Sequence, residues 1–569
     1  MPRLILAFVG IALAPIGAFA NPLRHVPNDA QLVVVIDSPR KLVESVRKHD
    51  LYQSARVLPQ VRESLDSTAA RRFFQLVDYY ERDLGGAWPK LLDKIAGKGV
   101  ALASFKLEDD GPALFVMEGT DEAAVADFFK LAQKLLEEEI ARQAVNGKEP
   151  EKLRRGTHQG AETIHLGDAF HAARRGAVLF IANQEKALHA GLSVAAGKSV
   201  ADRREPQAAR KLLGGDPLAW LWFDFAKIKE SKQAKDYFES VKKDAFQTFV
   251  LGSNIDAFRR SDFIAAGLWQ TDDGFRAAVR VPAKRAEVPP ELALHVPPAG
   301  TPGSPPLLEP KGVLYSQSFH LDLATFWKGR KKVLNDQQLK DVEEFEKQVS
   351  KVIPGTTLGK LLEMSGPYHR IVSAHIDEVL YKTQPDQQYP PVAIVSSMRD
   401  KQFGKSVSSA LRAAGVLASF STGVKMSEET HDGIAIVSYR FPENKPLDGD
   451  PENLRFNVVP SFAIVGDSLV VSSRPSLIKL LIPELRKTPD AGSPAVWRNR
   501  VYAAGVAETI RAYPDPVITQ TVLSQGIGLD EAKKQVEILA KWAATLGNAS
   551  LEMDHQQDAY QIQFVWKMK

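Results

Sequence analysis

"THQGAETIHL" spans residues 157–166 and "THDGIAIVSY" spans residues 430–439. Each places Thr-His-x-Gly before a run that alternates or stays apolar. Such a pattern reads as a tight turn entering a strand, with Gly160 and Gly433 free to take positive φ. The recurrence extends outward in the same order through both halves. "GPALFVMEGTD" (111–121) aligns with "PPVAIVSSMRD" (390–400), and "GAVLFIANQEKALHAGL" (176–192) with "GDSLVVSSRPSLIKLLI" (466–482). "KLLDKIAG" (90–97) resembles "KLLEMSGP" (360–367), and "DGFRAAVRV" (273–281) resembles "DAYQIQFVW" (558–566). An ordered series of this kind points to internal duplication.

Within each copy, β-branched and alternating runs predict short strands: "AQLVVVID", "VALASF", "ALFVME", "ETIHL", "AVLFIA" and "AWLWFDFA". Segments 121–143 and 400–414 carry apolar residues at helical spacing behind Asp121 and Asp400, both good N-caps. A further helix is expected over 234–252, with 530–547 as its counterpart in the second copy. Strands in adjacent, short-looped runs favour an α+β fold: two tandem copies of a mainly antiparallel sheet packed against helices. One face of each sheet is expected under helices and the other partly wet.

The domain layout follows: a signal peptide over 1–20, a first α+β repeat over 21–286, a Pro-rich linker over 287–309 and a second repeat over 310–569. Proline removes an amide donor and fixes φ, so "EVPPELALHVPPAGTPGSPPLLEPKG" (287–312) is expected to be an extended connector. At the start, Met1-Pro2-Arg3, an apolar run over 4–16 and the small-x-small Ala18-Phe19-Ala20 have the order of a secretory signal. Cleavage after Ala20 is expected, with an uncleaved anchor as the alternative. No later segment is apolar for long enough to span a bilayer, so the mature chain carries no expected transmembrane segment.

Composition excludes several classes. The 73 Lys+Arg and 69 Asp+Glu are interspersed, and a net charge of +4 is too small and too dispersed for a nucleic-acid partner. "GRKK" (329–332) reads as a solvated basic face. There is no cysteine, which removes disulfides, thiolate metal sites and Cys nucleophiles. "AAGKS" (195–199) lacks the correctly spaced first glycine of a phosphate loop and follows a helix, where that loop follows a strand. G-x-S-x-G and H-E-x-x-H are absent, and the scattered Ser-x-x-Lys pairs have no Lys-Thr-Gly beside them. Read as one alternating strand, His158 and His165 would fall on opposite faces, and no third ligand stands nearby in sequence, so no metal site is expected. No catalytic or cofactor residues are assigned. The residues left for a binding surface are His158 and His431, at equivalent turns, and Trp220 and Trp222, which share one face of a strand and could stack a sugar or pack beneath a helix.

The signal, followed by "PNDAQLVVVID", "GPALFVMEG" with its helix, "THQG" and "GAVLFIANQ", resembles an uncharacterised family of exported bacterial proteins with tandem α+β repeats. That resemblance implies no reaction, cofactor or catalytic residue. The reading is an exported, non-catalytic binding or scaffolding protein of the periplasm or cell envelope, with a protein or envelope partner. The alternative is a hydrolase whose site lies in a groove between the repeats.

Overall fold

"LVVVI" opens the first sheet as β1 (Leu32–Ile36), its β-branched side chains alternating between core and surface. The structure, a computed structural model, describes residues 22–48, 54–83, 87–108, 110–145, 152–243, 245–352, 356–487 and 492–568. The expected signal peptide lies outside the described residues. Nine more strands complete the first sheet: β2 (Val100–Ser104), β3 (Ala113–Glu118), β4 (Leu153–His158), β5 (Ala161–Leu166), β6 (Phe170–Arg175), β7 (Val178–Ala182), β8 (Ala219–Phe223), β9 (Ile264–Thr271) and β10 (Gly274–Val281). Their order is β10-β9-β8-β1-β2-β3-β7-β6-β5-β4, every pairing antiparallel.

The second sheet repeats this plan. Its strands are β11 (Val313–His320), β12 (Ser365–Ala374), β13 (Val392–Met398), β14 (Lys425–His431), β15 (Ile434–Arg440), β16 (Ser461–Val465), β17 (Ser468–Ser472), β18 (Trp497–Tyr502), β19 (Asn548–His555) and β20 (Tyr560–Lys567). They run β20-β19-β18-β11-β12-β13-β17-β16-β15-β14, again antiparallel throughout. Each strand thus holds the place of the one ten earlier. The repeated letters belong to a repeated topology.

The opening motif is a two-residue hairpin turn in both copies. Gln159 and Gly160 have φ of 49° and 78°, and Asp432 and Gly433 have 49° and 76°. Two consecutive left-handed residues match the right-handed twist of the strands they join, as a type I′ turn requires. Only glycine adopts that conformation without strain. Gly433→Val should therefore lower stability by about 1–2 kcal/mol, read as a lower urea midpoint with unchanged slope; an unshifted midpoint would contradict the turn.

Four helices of the first unit matter below: α1 (Trp88–Ala96), α2 (Glu122–Val145), α3 (Glu185–Leu192) and α4 (Arg204–Leu213). Asp121 caps α2 as expected, its Oδ1 accepting from the Ala124 amide at 3.0 Å. The expectation of one wet face fails at the centre of this sheet. Leu114, Val116, Phe180 and Ala182 pack with Leu188, Leu192, Ala209 and Leu213 of α3 and α4. Phe115, Met117 and Leu179 pack on the opposite face with Leu92, Ile95, Phe128 and Phe129 of α1 and α2. "ALFVM" is a continuous apolar run, the pattern of a strand buried on both sides. Along β10 the expected mixture of buried and half-buried positions is present.

In the second unit the helices used below are α5 (Ala245–Arg260), α6 (Lys401–Thr422) and α7 (Pro475–Arg486). Pro475 is accommodated in the first turn of α7, where its missing amide costs nothing. Leu477, Ile478, Leu481 and Ile482 of α7 are fully buried against Val372, Val395 and Val470 of the sheet.

The unit boundaries differ from a single cut in the proline stretch. One compact unit comprises Met1–Ser231 and Ser261–Pro282; the other comprises Lys232–Arg260 and Ala283–Lys569. Residues 232–260, expected to help close the first repeat, belong to the second unit. The 287–309 stretch also belongs there and is not a bare connector. It forms short 3₁₀ turns over Arg285–Glu287 and Pro290–His295, and Leu294 and Leu308 are buried. Its leucines supply anchors that the proline count conceals.

Candidate functional site

The two histidines of the repeated motif lie in different units. His158 ends β4 and stacks on His189 of α3, ring centroids 3.8 Å apart and nearly parallel. His431 ends β14, with its Nε2 3.9 Å from Asp432 Oδ2. They are equivalent in topology but not in surroundings. His158 and His165 do share a face, contrary to the single-strand reading. The hairpin pairs His158 with Ala161, and Ala161, Thr163 and His165 then point the same way along β5.

Trp220 and Trp222 share a face of β8 as expected, but that face is core. Trp222 is fully buried and Trp220 nearly so. Trp220 Nε1 donates to Asp37 Oδ2 at 3.1 Å, and the Arg203 guanidinium lies 4.6 Å from the Trp222 ring centroid. Neither ring can stack a ligand. Burying a large aromatic is worth more than leaving it as an exposed platform, and α4 supplies the cover.

The feature that separates the copies most is α6. Aligning Asp121 with Asp400 sets Val125, Phe128, Phe129, Leu131 and Leu136 of α2 against Gly404, Val407, Ser408, Ala410 and Gly415 of α6. The first set is buried; in α6 only Gly404 is. Asp400 still caps the helix, accepting from the Gln402 amide at 2.8 Å, and Gly423 ends it at φ 74°. Small residues let α6 lie close to the sheet. A Cβ on Gly415 would stand 2.1 Å from the Tyr439 ring, whose hydroxyl donates to Leu411 O at 2.9 Å.

Phe403, Val407 and Leu411 are half-buried, but a second apolar row of α6 faces the other way. Ala413, Val416, Leu417 and Phe420 follow i, i+3, i+4, i+7 spacing and are all exposed, Leu417 at 69% and Phe420 at 79%. An apolar stripe at this spacing normally faces a core. The helix contains Lys401, Lys405 and Arg412 and no acidic residue. Arg412 also reaches Glu428 at 2.9 Å. On the same unit's sheet, the cross-strand pair Ile394 and Val471 is exposed, whereas Phe115, in the equivalent place of the first unit, is covered. Among the described residues no helix is long and apolar enough to cross a membrane.

The second unit also encloses ionisable groups that no motif marks, His320 and His555 buried and His295 half-buried. His295 Nδ1 lies 3.2 Å from Ser253 Oγ, and His320 Nδ1 lies 3.1 Å from Leu294 O. His555 sits beside Tyr560, ring centroids 4.8 Å apart. Burial is the main cause that pushes His295 and His320 down to about 4 and His555 to about 3, assisted for His555 by His295, Arg285 and Arg260. These imidazoles are neutral at physiological pH, and their surroundings hold them as packing elements.

No family model and no curated protein matches the chain. Among solved structures, crystal forms I, III and IV of TP0453 align with 48%, 48% and 47% of this chain and with 82%, 84% and 83% of theirs. The identities are 11%, 10% and 9%, and the TM-scores 0.23, 0.24 and 0.24, too low for the likeness to bear on fold or role.

Proposed function

We propose that the protein is an exported, non-catalytic binding protein of the periplasm or cell envelope, and that its second unit docks on an anionic lipid surface through α6. The observation that carries this reading is the outward stripe of Ala413, Val416, Leu417 and Phe420 on a helix with basic but no acidic residues. An apolar face with cationic neighbours suits the headgroup–acyl boundary of an anionic bilayer, where both parts are satisfied together. The signal-like residues 1–20 support export.

The chain from Asn21 onward should co-sediment with phosphatidylglycerol-containing vesicles and far less with pure phosphatidylcholine vesicles. Raising salt should weaken the binding, because the cationic contribution is screened. Leu417→Glu with Phe420→Glu should reduce the affinity at least tenfold while leaving the circular dichroism unchanged, since both side chains already face water. Absence of vesicle binding, or undiminished binding by the double variant, would overturn the lipid reading. Concentration-dependent self-association abolished by the same substitutions would replace it with a second copy of this chain as the occupant. Recovery of the protein in the cytoplasmic fraction of cells expressing the full chain would remove the export half of the proposal.

A further inference from the structure

One corner of the first unit gathers donors from four places in the sequence. His165 on β5 and His171 on β6 are register partners, both buried, with their Nδ1 atoms 2.8 Å apart. Glu185, in the first turn of α3, brings a carboxylate oxygen so that one ligand atom from each of the three residues lies within 4.8 Å of the others. His189, one turn further along α3, has its Nε2 3.8 Å from Glu185 Oε1 and stacks on His158, whose buried Nε2 has no hydrogen-bond partner among the described residues. Of the histidines described in this unit, only His25 lies elsewhere.

We infer that His165, His171 and Glu185 form a binding site for a divalent transition-metal ion, zinc foremost, with water or His189 completing the shell. Two imidazoles and a carboxylate are a donor set suited to zinc, and the same set accepts cobalt, nickel or copper. His171 is already oriented for the task. Its Nε2 lies 3.2 Å from the Asp168 carbonyl oxygen. Donation of an Nε2 proton to that oxygen leaves the Nδ1 lone pair directed at His165, the arrangement by which outer-shell carbonyls fix a ligand's tautomer. A tetrahedral ion holds two such nitrogens roughly 3.3 Å apart, given metal–nitrogen distances of about 2.0–2.1 Å. The rings must therefore part by about half an ångström, a small rotation for side chains at adjacent strand positions.

The second copy shows that the fold does not require these histidines. The β15–β16 pair in the place of His165 and His171 is Ser438 and Ser461, joined by a hydroxyl hydrogen bond of 2.9 Å. Pro475 and Lys479 stand where α3 carries Glu185 and His189. The scaffold is shared, whereas the donors occur in one copy alone. A buried Nδ1–Nδ1 contact could also be a simple neutral hydrogen bond between the rings, and the two cases differ in what they bind.

The test uses the chain from Asn21 onward, stripped with a chelator and titrated with Zn²⁺ alone by calorimetry and with Co²⁺ alone by visible absorption. The expected result is one Zn²⁺ per chain with a micromolar or lower Kd, and a Co²⁺ d–d band of tetrahedral character that Zn²⁺ displaces. His165→Ser with His171→Ser copies the pair found in the second unit and so should keep the fold; binding should fall at least a hundredfold. Glu185→Gln, at an exposed position, should weaken binding at least tenfold without touching the buried pair. No stoichiometric Zn²⁺ uptake, or uptake unchanged in the Ser/Ser variant, would overturn the assignment and leave the neutral hydrogen bond. Vesicle binding reports on the other unit, so the two proposals stand or fall separately.

Discussion

Trp222→Ala should cost the first unit about 3–5 kcal/mol, the range for removing a large aromatic from a packed core. The indole is completely enclosed within the cluster that includes Val33, Ala103, Ala209 and Leu213. Arg203, whose guanidinium lies over the ring, also donates to Asp224 Oδ2 at 3.0 Å, so truncation leaves a cation above a void. Trp222→Phe separates packing from polarity. The Nε1 of Trp222 is buried and has no hydrogen-bond partner among the described residues. Phenylalanine deletes that unsatisfied donor along with part of the ring, and the two effects oppose each other. Its cost should be less than half that of alanine. Trp220→Phe instead severs a bond to Asp37, whose pKa burial raises. Urea unfolding followed by far-ultraviolet circular dichroism reads all three variants without relying on the fluorescence they remove. A Trp222→Ala protein as stable as the parent would mean that the ring is not core.

Acidification should destabilise the second unit over a defined window. His295, His320 and His555 are neutral in the folded state, with pKa values pushed to about 4, 4 and 3 from the ordinary 6.5. In the unfolded chain they take up protons as pH falls through 6.5, while the folded protein refuses them. Unfolding therefore gains protons, and stability falls with falling pH. The contribution is complete above pH 6.5 and declines towards pH 4. For His555 the decline continues towards pH 3. Each fully linked histidine gives about 1.4 kcal/mol per pH unit, so the three together approach about 4 kcal/mol per unit near pH 5. In the first unit, His25 is likewise lowered to about 4, chiefly by burial and then by Arg24 and Arg175, and adds the same sign there. Urea midpoints between pH 7.5 and 4.5 should trace this slope. His555→Phe should flatten it by roughly a third; a slope unaffected by that change would show that His555 is protonated in the folded protein.

Features with local causes were legible in the sequence. The hairpins at Gln159-Gly160 and Asp432-Gly433, the caps at Asp121 and Asp400 and the run of "LVVVI" each depend on a few neighbouring residues, and the duplication is written in their order. What escaped depends on contacts between distant segments. His171 and Glu185 become partners of His165 only through the β5–β6 register and the packing of α3. A signal for the first existed in "HLGDAFH" (165–171), where a three-residue turn at Gly167-Asp168-Ala169 sets the two imidazoles opposite each other. The two-sided burial of β3 was hinted at by its lack of alternation. The solvent-facing stripe of α6 was not visible, because Ala413, Val416, Leu417 and Phe420 have the spacing of a core face and only the glycines beside them reveal which side meets the sheet. The placement of 232–260 in the second unit left no trace in composition.

That last feature bears on how the gene could be divided. The polypeptide passes from one body to the other at residues 231–232, returns at 260–261 and departs again at 282–283. A fragment ending within the proline stretch would keep α5 yet lose the body it belongs to, and the remaining fragment would lack that helix. The halves share one strand order, yet α5 follows the first sheet's β8 in sequence and belongs to the second body. Expressed apart they should be poorly soluble, and expressed together they should reassemble.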